Sequence, residues 1–101
     1  MIARIWHGYT KIADADTYEH MLTREIFSGI QERRINGFQK IELLVRTLAE
    51  ETEFVTIMWF DSMDAVKEFA GPDFEKAVIF PDAIPLLTRY DQRSQHYEVI
   101  K

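Results

Sequence analysis

The chain has no cysteine. Disulfides, zinc–thiolate centres, iron–sulfur clusters and thiol nucleophiles are therefore excluded from its chemistry. Basic residues are in the minority, with 12 Lys and Arg against 17 Asp and Glu and a net charge of −5. That balance argues against a nucleic-acid partner, because phosphate binding relies on clustered cations. The one basic pair, Arg33-Arg34, falls at the expected end of a helix, where positive charge favours the helix dipole. No apolar run approaches the roughly 18 residues that a membrane helix needs. The opening MIARIWHGY places Arg4 and His7 inside its apolar residues, unlike a secretory leader, so the expectation is a cytoplasmic protein with no membrane partner.

Glycine and proline are also sparse, at four and three residues, and few forced turns interrupt the chain. What remains is ordinary globular material, 47% hydrophobic and 29% charged. A length of 101 residues fits one domain over positions 1–101, and folding at that size hides roughly two thirds of the unfolded surface.

The turn signals divide the chain into six main elements and one short helix. A strand is expected over Ile2 to Tyr9, then a helix from about Asp14 to Arg34, capped by Asp14 or Asp16. Its residues Tyr18, Leu22, Ile26 and Ile30 recur every fourth position as one apolar stripe. Asn36-Gly37 ends the helix and releases a second strand, Phe38 to Leu48, in which Ile41, Leu43 and Val45 alternate with charged residues. The third strand, Glu53 to Phe60, is apolar on both faces, with Val55, Ile57 and Trp59 on one and Phe54, Met58 and Phe60 on the other. A helix from Ser62 or Met63 to Ala70 follows, then a short helix around Asp73 to Ile79. A proline-punctuated loop leads to a last strand over Thr88 to Ile100, broken near Asp91 to Ser94.

The order β-α-β-β-α-β describes a ferredoxin-like α+β fold, an antiparallel sheet with both helices on one face. Two helices cover only that face. A third strand apolar on both sides therefore predicts a second cover for the sheet, and the simplest is the same face of another copy, a homodimer.

Several stretches together resemble the antibiotic biosynthesis monooxygenase domain family, within the dimeric α+β barrel superfamily. They are MIARIWHGYT, DADTYEHML, NGF, TIMWFDSMDAVKEFAG, DFEKAV and HYEVI, and they span nearly the whole chain. The resemblance implies a barrel that binds a small hydrophobic or aromatic molecule and oxidises it with O₂ without a cofactor. A haem-degrading branch combines an asparagine on the first strand, a tryptophan ending the third and a histidine ligand after the second helix. Trp59 matches the tryptophan, but the ligand position falls near Val78 or Ile79 and the first strand offers Trp6 or His7 instead of asparagine. The resemblance therefore implies no haem anchor. A barrel of the same fold that only binds a ligand, or serves a stress response, is the alternative, and a haem-binding or haem-degrading protein with an unusual ligand is the third reading.

On the family reading, Trp59 and Phe69 form pocket walls, Tyr18 supplies a hydroxyl and His7 a base, whose ordinary pKa is about 6.5. Alternation sends Trp6 and His7 to opposite faces, so only one of them can share a pocket with the helices. The topology could also bring His7 opposite His96, a pair able to bind Zn²⁺ or Ni²⁺, though no third ligand is evident and no metal is expected. His20, two positions from Tyr18, should face solvent. Arg4, if buried, should pair with Glu98 or Glu42, or else clamp an anionic substrate. Arg89 and Tyr90 open the last strand, where a binding role has no spacing rule behind it. Phe74 to Leu87 is apolar for a loop and reads as either packing over the barrel end or a lid.

Overall fold

The computed structural model describes residues 1–101. Strand β1 (Ile2–Lys11) is followed by a short 3-10 turn and by helix α1 (Ala15–Met21), which runs through a π-helical segment, Leu22–Ile26, into α2 (Phe27–Glu32). Strands β2 (Phe38–Thr47) and β3 (Glu51–Phe60) form a hairpin, and helix α3 (Met63–Ala70) packs back on it. A 3-10 helix, Pro81–Leu86, leads into β4 (Leu87–Tyr90) and β5 (Gln95–Glu98). All pairings are antiparallel, in the order β2-β3-β1-β4, with β5 continuing along β1 beyond β4. This is the ferredoxin-like α+β arrangement that the element order implies.

Alternation assigns the faces. Along β3, Phe54, Met58 and Phe60 point beneath the helices and are buried, whereas Val55, Ile57 and Trp59 stand on the other face, half-exposed. The first core cluster joins Met58 and Phe60 to Ile35 and to Ala65, Val66 and Phe69 of α3. The second joins Phe54 to Tyr18 and Leu22 of the long helical arm and to Ala83. Tyr18 meets Phe54 edge-on, with centroids 4.7 Å apart.

Two local devices set the elements in place. Ser62 caps α3 by accepting from the Ala65 amide at 3.3 Å, and Gly71, at φ 88°, ends it. Gly37, at φ 90°, lies so close to α3 that a Cβ there would come within 2.8 Å of the Ala65 methyl.

One expected element is absent. Residues 73–79 form turns and a bridge rather than a helix, with Lys76 paired to Arg93. The cause is competition for backbone groups. The Ala77 amide donates to the Gln92 carbonyl at 3.0 Å, the Ser94 amide donates to the Glu75 carbonyl at 2.6 Å, and the carbonyls of Phe74 and Lys76 are taken by Arg4. Those bonds hold the segment along the link between β4 and β5.

A candidate ligand cavity between helices and sheet

An apolar cavity of about 60 Å³ lies between the helical arm and the covered face of the sheet. The predicted stripe of Tyr18, Leu22, Ile26 and Ile30, with Phe27, forms its roof. Two of these, Leu22 and Ile26, belong to the π-helical segment, a local widening that in helices often accompanies functional sites. Arg4, Trp6, Thr56 and Met58 form the floor from β1 and β3, and Phe69 closes one side from α3. Val78, Ile79, Phe80 and Ala83 complete the wall. Val78 and Phe80 are also exposed to solvent, so this apolar loop is the cavity's outer wall.

The floor is held from below. Trp6 lies flat over Gly8, where a Cβ would come within 2.4 Å of the indole ring, and its Nε1 donates to the Asp91 carbonyl at 2.9 Å. Tyr18 is buried and its hydroxyl has no partner in the chain; burial alone pushes its pKa up, so the phenol stays protonated. No carboxylate and no histidine lines the cavity.

The structure brings Tyr18, Phe69 and Trp6 together and leaves two other candidates outside. Trp59 is on the open face of the sheet, its Nε1 donating to Glu42 at 2.7 Å and its ring 5.3 Å from the Lys40 ammonium. It cannot line a cavity beneath the helices, because β3 presents Phe60 and Met58 there and its neighbour points away. His7 shares that open face, opposite Val55, with its Nδ1 2.7 Å from the Asp91 carboxylate. It is therefore no base for the cavity. The His7–His96 pairing also fails, since the register sets His96 opposite Arg4. His20 is exposed.

Asp91 is the hub of the small cluster around His7. Burial alone would raise its pKa, but hydrogen bonds from the His7 ring, from Gln95 and from the His7 amide outweigh that and hold it below the usual carboxylate range. Farther along the same face, Arg46 and Tyr9 donate to Glu53 and depress it likewise. Arg89 bonds Glu51 at 3.0 Å and lies over the Tyr9 ring. Tyr90, by contrast, leans against Trp6, with centroids 6.3 Å apart.

Arg4 departs furthest from expectation. It is 3% exposed, yet no carboxylate pairs with it. Glu98 is exposed opposite Ile2, and Glu42 is committed to Trp59 and Lys40 on the other face. The guanidinium instead donates to the carbonyls of Phe74 and Lys76 and to His96 Nε2 at 2.9 Å. Backbone carbonyls brought in from 70 positions away leave no trace in the local sequence.

A sheet with helices on one face and an apolar cavity between them defines a ferredoxin-like α+β architecture. It is the fold of antibiotic biosynthesis monooxygenase-like proteins. A Bacillus cereus protein named as a putative antibiotic biosynthesis monooxygenase superposes with a TM-score of 0.68 at 17% identity, over 99% of this chain and 93% of its own. A variant of MhuD holding two manganese protoporphyrin IX molecules per active site matches at 0.68 and 17% identity, covering 100% of this chain and 96% of that one. MhuD from Mycobacterium tuberculosis, a haem degrader holding two haems, matches at 0.63 and 17% identity, over 100% and 97%. No family model and no curated protein sequence matches the chain.

The residues present do not fit a haem. Val78 and Ile79 stand in the cavity wall at the positions where the resemblance implies a ligating histidine, and no histidine or cysteine reaches the cavity. Its free volume is also far below the roughly 300–1,000 Å³ of sites for drug-sized ligands.

Proposed function

We propose that the chain oxidises a small aromatic molecule with O₂, using no resident cofactor, in the cavity between helices and sheet. The observation that carries this reading is the cavity itself, apolar at 13 of its 16 lining residues, on a fold shared end to end with a monooxygenase-like neighbour. Apolar walls exclude water, and Trp6, Phe69 and Met58 offer flat or polarisable surfaces to a ring. A substrate of the anthrone type supplies all four electrons. Its methylene loses two C–H bonds, one oxygen atom becomes the ketone, and the other leaves as water with the two protons.

With no base on the walls, the substrate ionises to solvent as it enters. The protonated Tyr18 hydroxyl then hydrogen-bonds the oxygen on which negative charge develops. Free space of about 60 Å³ is too small for a tricyclic ring, so the ring enters as the Val78–Phe80 wall moves outward. The absence of a carboxylate or histidine from the wall supports a second reading, a barrel that binds its ligand without chemistry.

Oxygen uptake with anthrone separates the two readings. Uptake above the uncatalysed rate, reduced at least tenfold in Phe69→Ala and in Tyr18→Phe and unchanged in His7→Ala, supports the oxygenase. Binding of anthrone with no uptake supports the binding protein.

The working unit on this reading is a homodimer in the cytoplasm. Val55, Ile57 and Trp59 are half-exposed on the open sheet face, with Leu44 at 49% and Tyr97 at 56% beside them. Sedimentation equilibrium should return twice the 11.9 kDa of the chain. No helix is long and apolar enough to cross a membrane.

A further inference from the structure

Arg4 is the one charged side chain on the cavity wall, and it is buried without a counter-charge. Its neighbours are neutral. Burial and the Arg4 charge push the His96 pKa down against the opposing charge of Glu75, whereas the Arg4 shift itself comes from burial alone. A guanidinium has five N–H groups and no acceptor, and three of those N–H groups are used here, on two carbonyls and His96 Nε2. Two remain free. Burial lowers the Arg4 pKa to about 10, which still leaves it charged at neutral pH.

The rest of the polar wall has the same sense. Tyr18, Thr56 and Ser94 each bring a hydroxyl, and none of the three hydroxyls is bonded within the chain, while the Trp6 N–H is already spent on Asp91. The cavity thus presents a cation and three hydroxyl donors, and not one carboxylate. Phe69 holds Arg4 in place, its ring 5.5 Å from the Arg4 guanidinium and 5.3 Å from that of Arg33.

We propose that Arg4 is the anion anchor of this cavity, and that the ligand is an aromatic molecule carrying an anionic oxygen, a carboxylate or a phenolate, bound with that oxygen at Arg4 and its ring along Trp6 and Phe69. The inference rests on the cavity being a ligand site, as the proposed function holds. A desolvated guanidinium gains most from an oxyanion, and a neutral ligand of the same shape leaves its charge unmatched. Selectivity for charge at constant shape is therefore the signature of the site.

Calorimetry with 2-naphthoate and with the neutral 2-naphthamide reads that signature on the unaltered protein. The naphthoate should bind at least tenfold more tightly. Arg4→Met should abolish the preference and Arg4→Lys should keep most of it. A phenolate is read separately with 4-nitrophenol, whose absorbance should show it ionising at lower pH when bound. Preference for the naphthoate alone assigns a carboxylate, and the shift in 4-nitrophenol alone assigns a phenolate. Equal binding of acid and amide, with 4-nitrophenol bound neutral, overturns the anchor while leaving the cavity reading intact. A preference that persists in Arg4→Met also overturns it. Binding of none of the three probes overturns both readings together. Should Arg4→Met fail to fold, the comparison on the unaltered protein decides alone.

Discussion

The two faces of the one sheet have nearly the same apolar content and opposite fates. Under the helices, Phe54 and Phe60 are fully buried, at 0% exposure. Across the same backbone, Val55, Ile57 and Trp59 lie half-exposed among Glu42, Arg46 and Glu53. The covered face keeps its hydroxyls and its single cation around a cavity, whereas the open face carries a lattice of ion pairs between its apolar side chains. Position relative to the helices, not residue type, decides which aromatic is core and which is surface.

Substitution on each face tests that contrast. Phe60→Ala should cost about 3–5 kcal/mol, the usual loss for a fully buried phenylalanine, read by urea unfolding. A loss below about 1 kcal/mol, typical of surface positions, would erase the distinction between the faces. If the copies pair through this face as proposed, Ile57→Asp should leave the circular dichroism of the fold intact and halve the mass in sedimentation. An unchanged dimer would mean that another surface joins the copies.

A smaller effect is expected from pH. Asp91 is held below its ordinary pKa of 3.8, so its contribution to stability is complete above that value and is lost as pH falls through the lower folded one. Urea midpoints compared at pH 6 and pH 3 should therefore converge for the wild type and Asp91→Asn at the acid end. A gap of the same size at both pH values would show that the His7–Asp91 contact does not titrate with folding.

Much of the fold was legible because period is a strong signal. The fourfold spacing of Tyr18, Leu22, Ile26 and Ile30 marked the side of the helical arm that became the cavity roof. The alternation in β3 separated its two faces correctly. It does not say which face the helices take, because Phe-Met-Phe and Val-Ile-Trp are equally apolar, and so the expectation for Trp59 falls on the wrong side. The register of β5 on β1 likewise depends on the link over 91–94, which carries the pairing from Gly8 with Tyr90 to Ile5 with Gln95 and which no pattern in the sequence announces. Helix propensity over 73–79 lost to partners supplied by Arg4 and by residues 92–94. Arg4 was recognised as a cation inside an apolar strand, but its partners are carbonyls of a distant loop, and the alternative of an anionic ligand is the one its surroundings favour.

The bonds of Arg4 also bear on the order of assembly. They join position 4 to positions 74 and 76, and across 92 residues to His96. Contacts this distant in sequence demand the closure of almost the entire chain, an entropic cost met late in folding. On the ribosome, the first strand would emerge with its arginine bare, and that arginine would have its full set of partners only once His96 of the last strand had left the exit tunnel. The fixing of Arg4 is thus a product of completion: its partners at positions 74, 76 and 96 all lie in the last third of the chain.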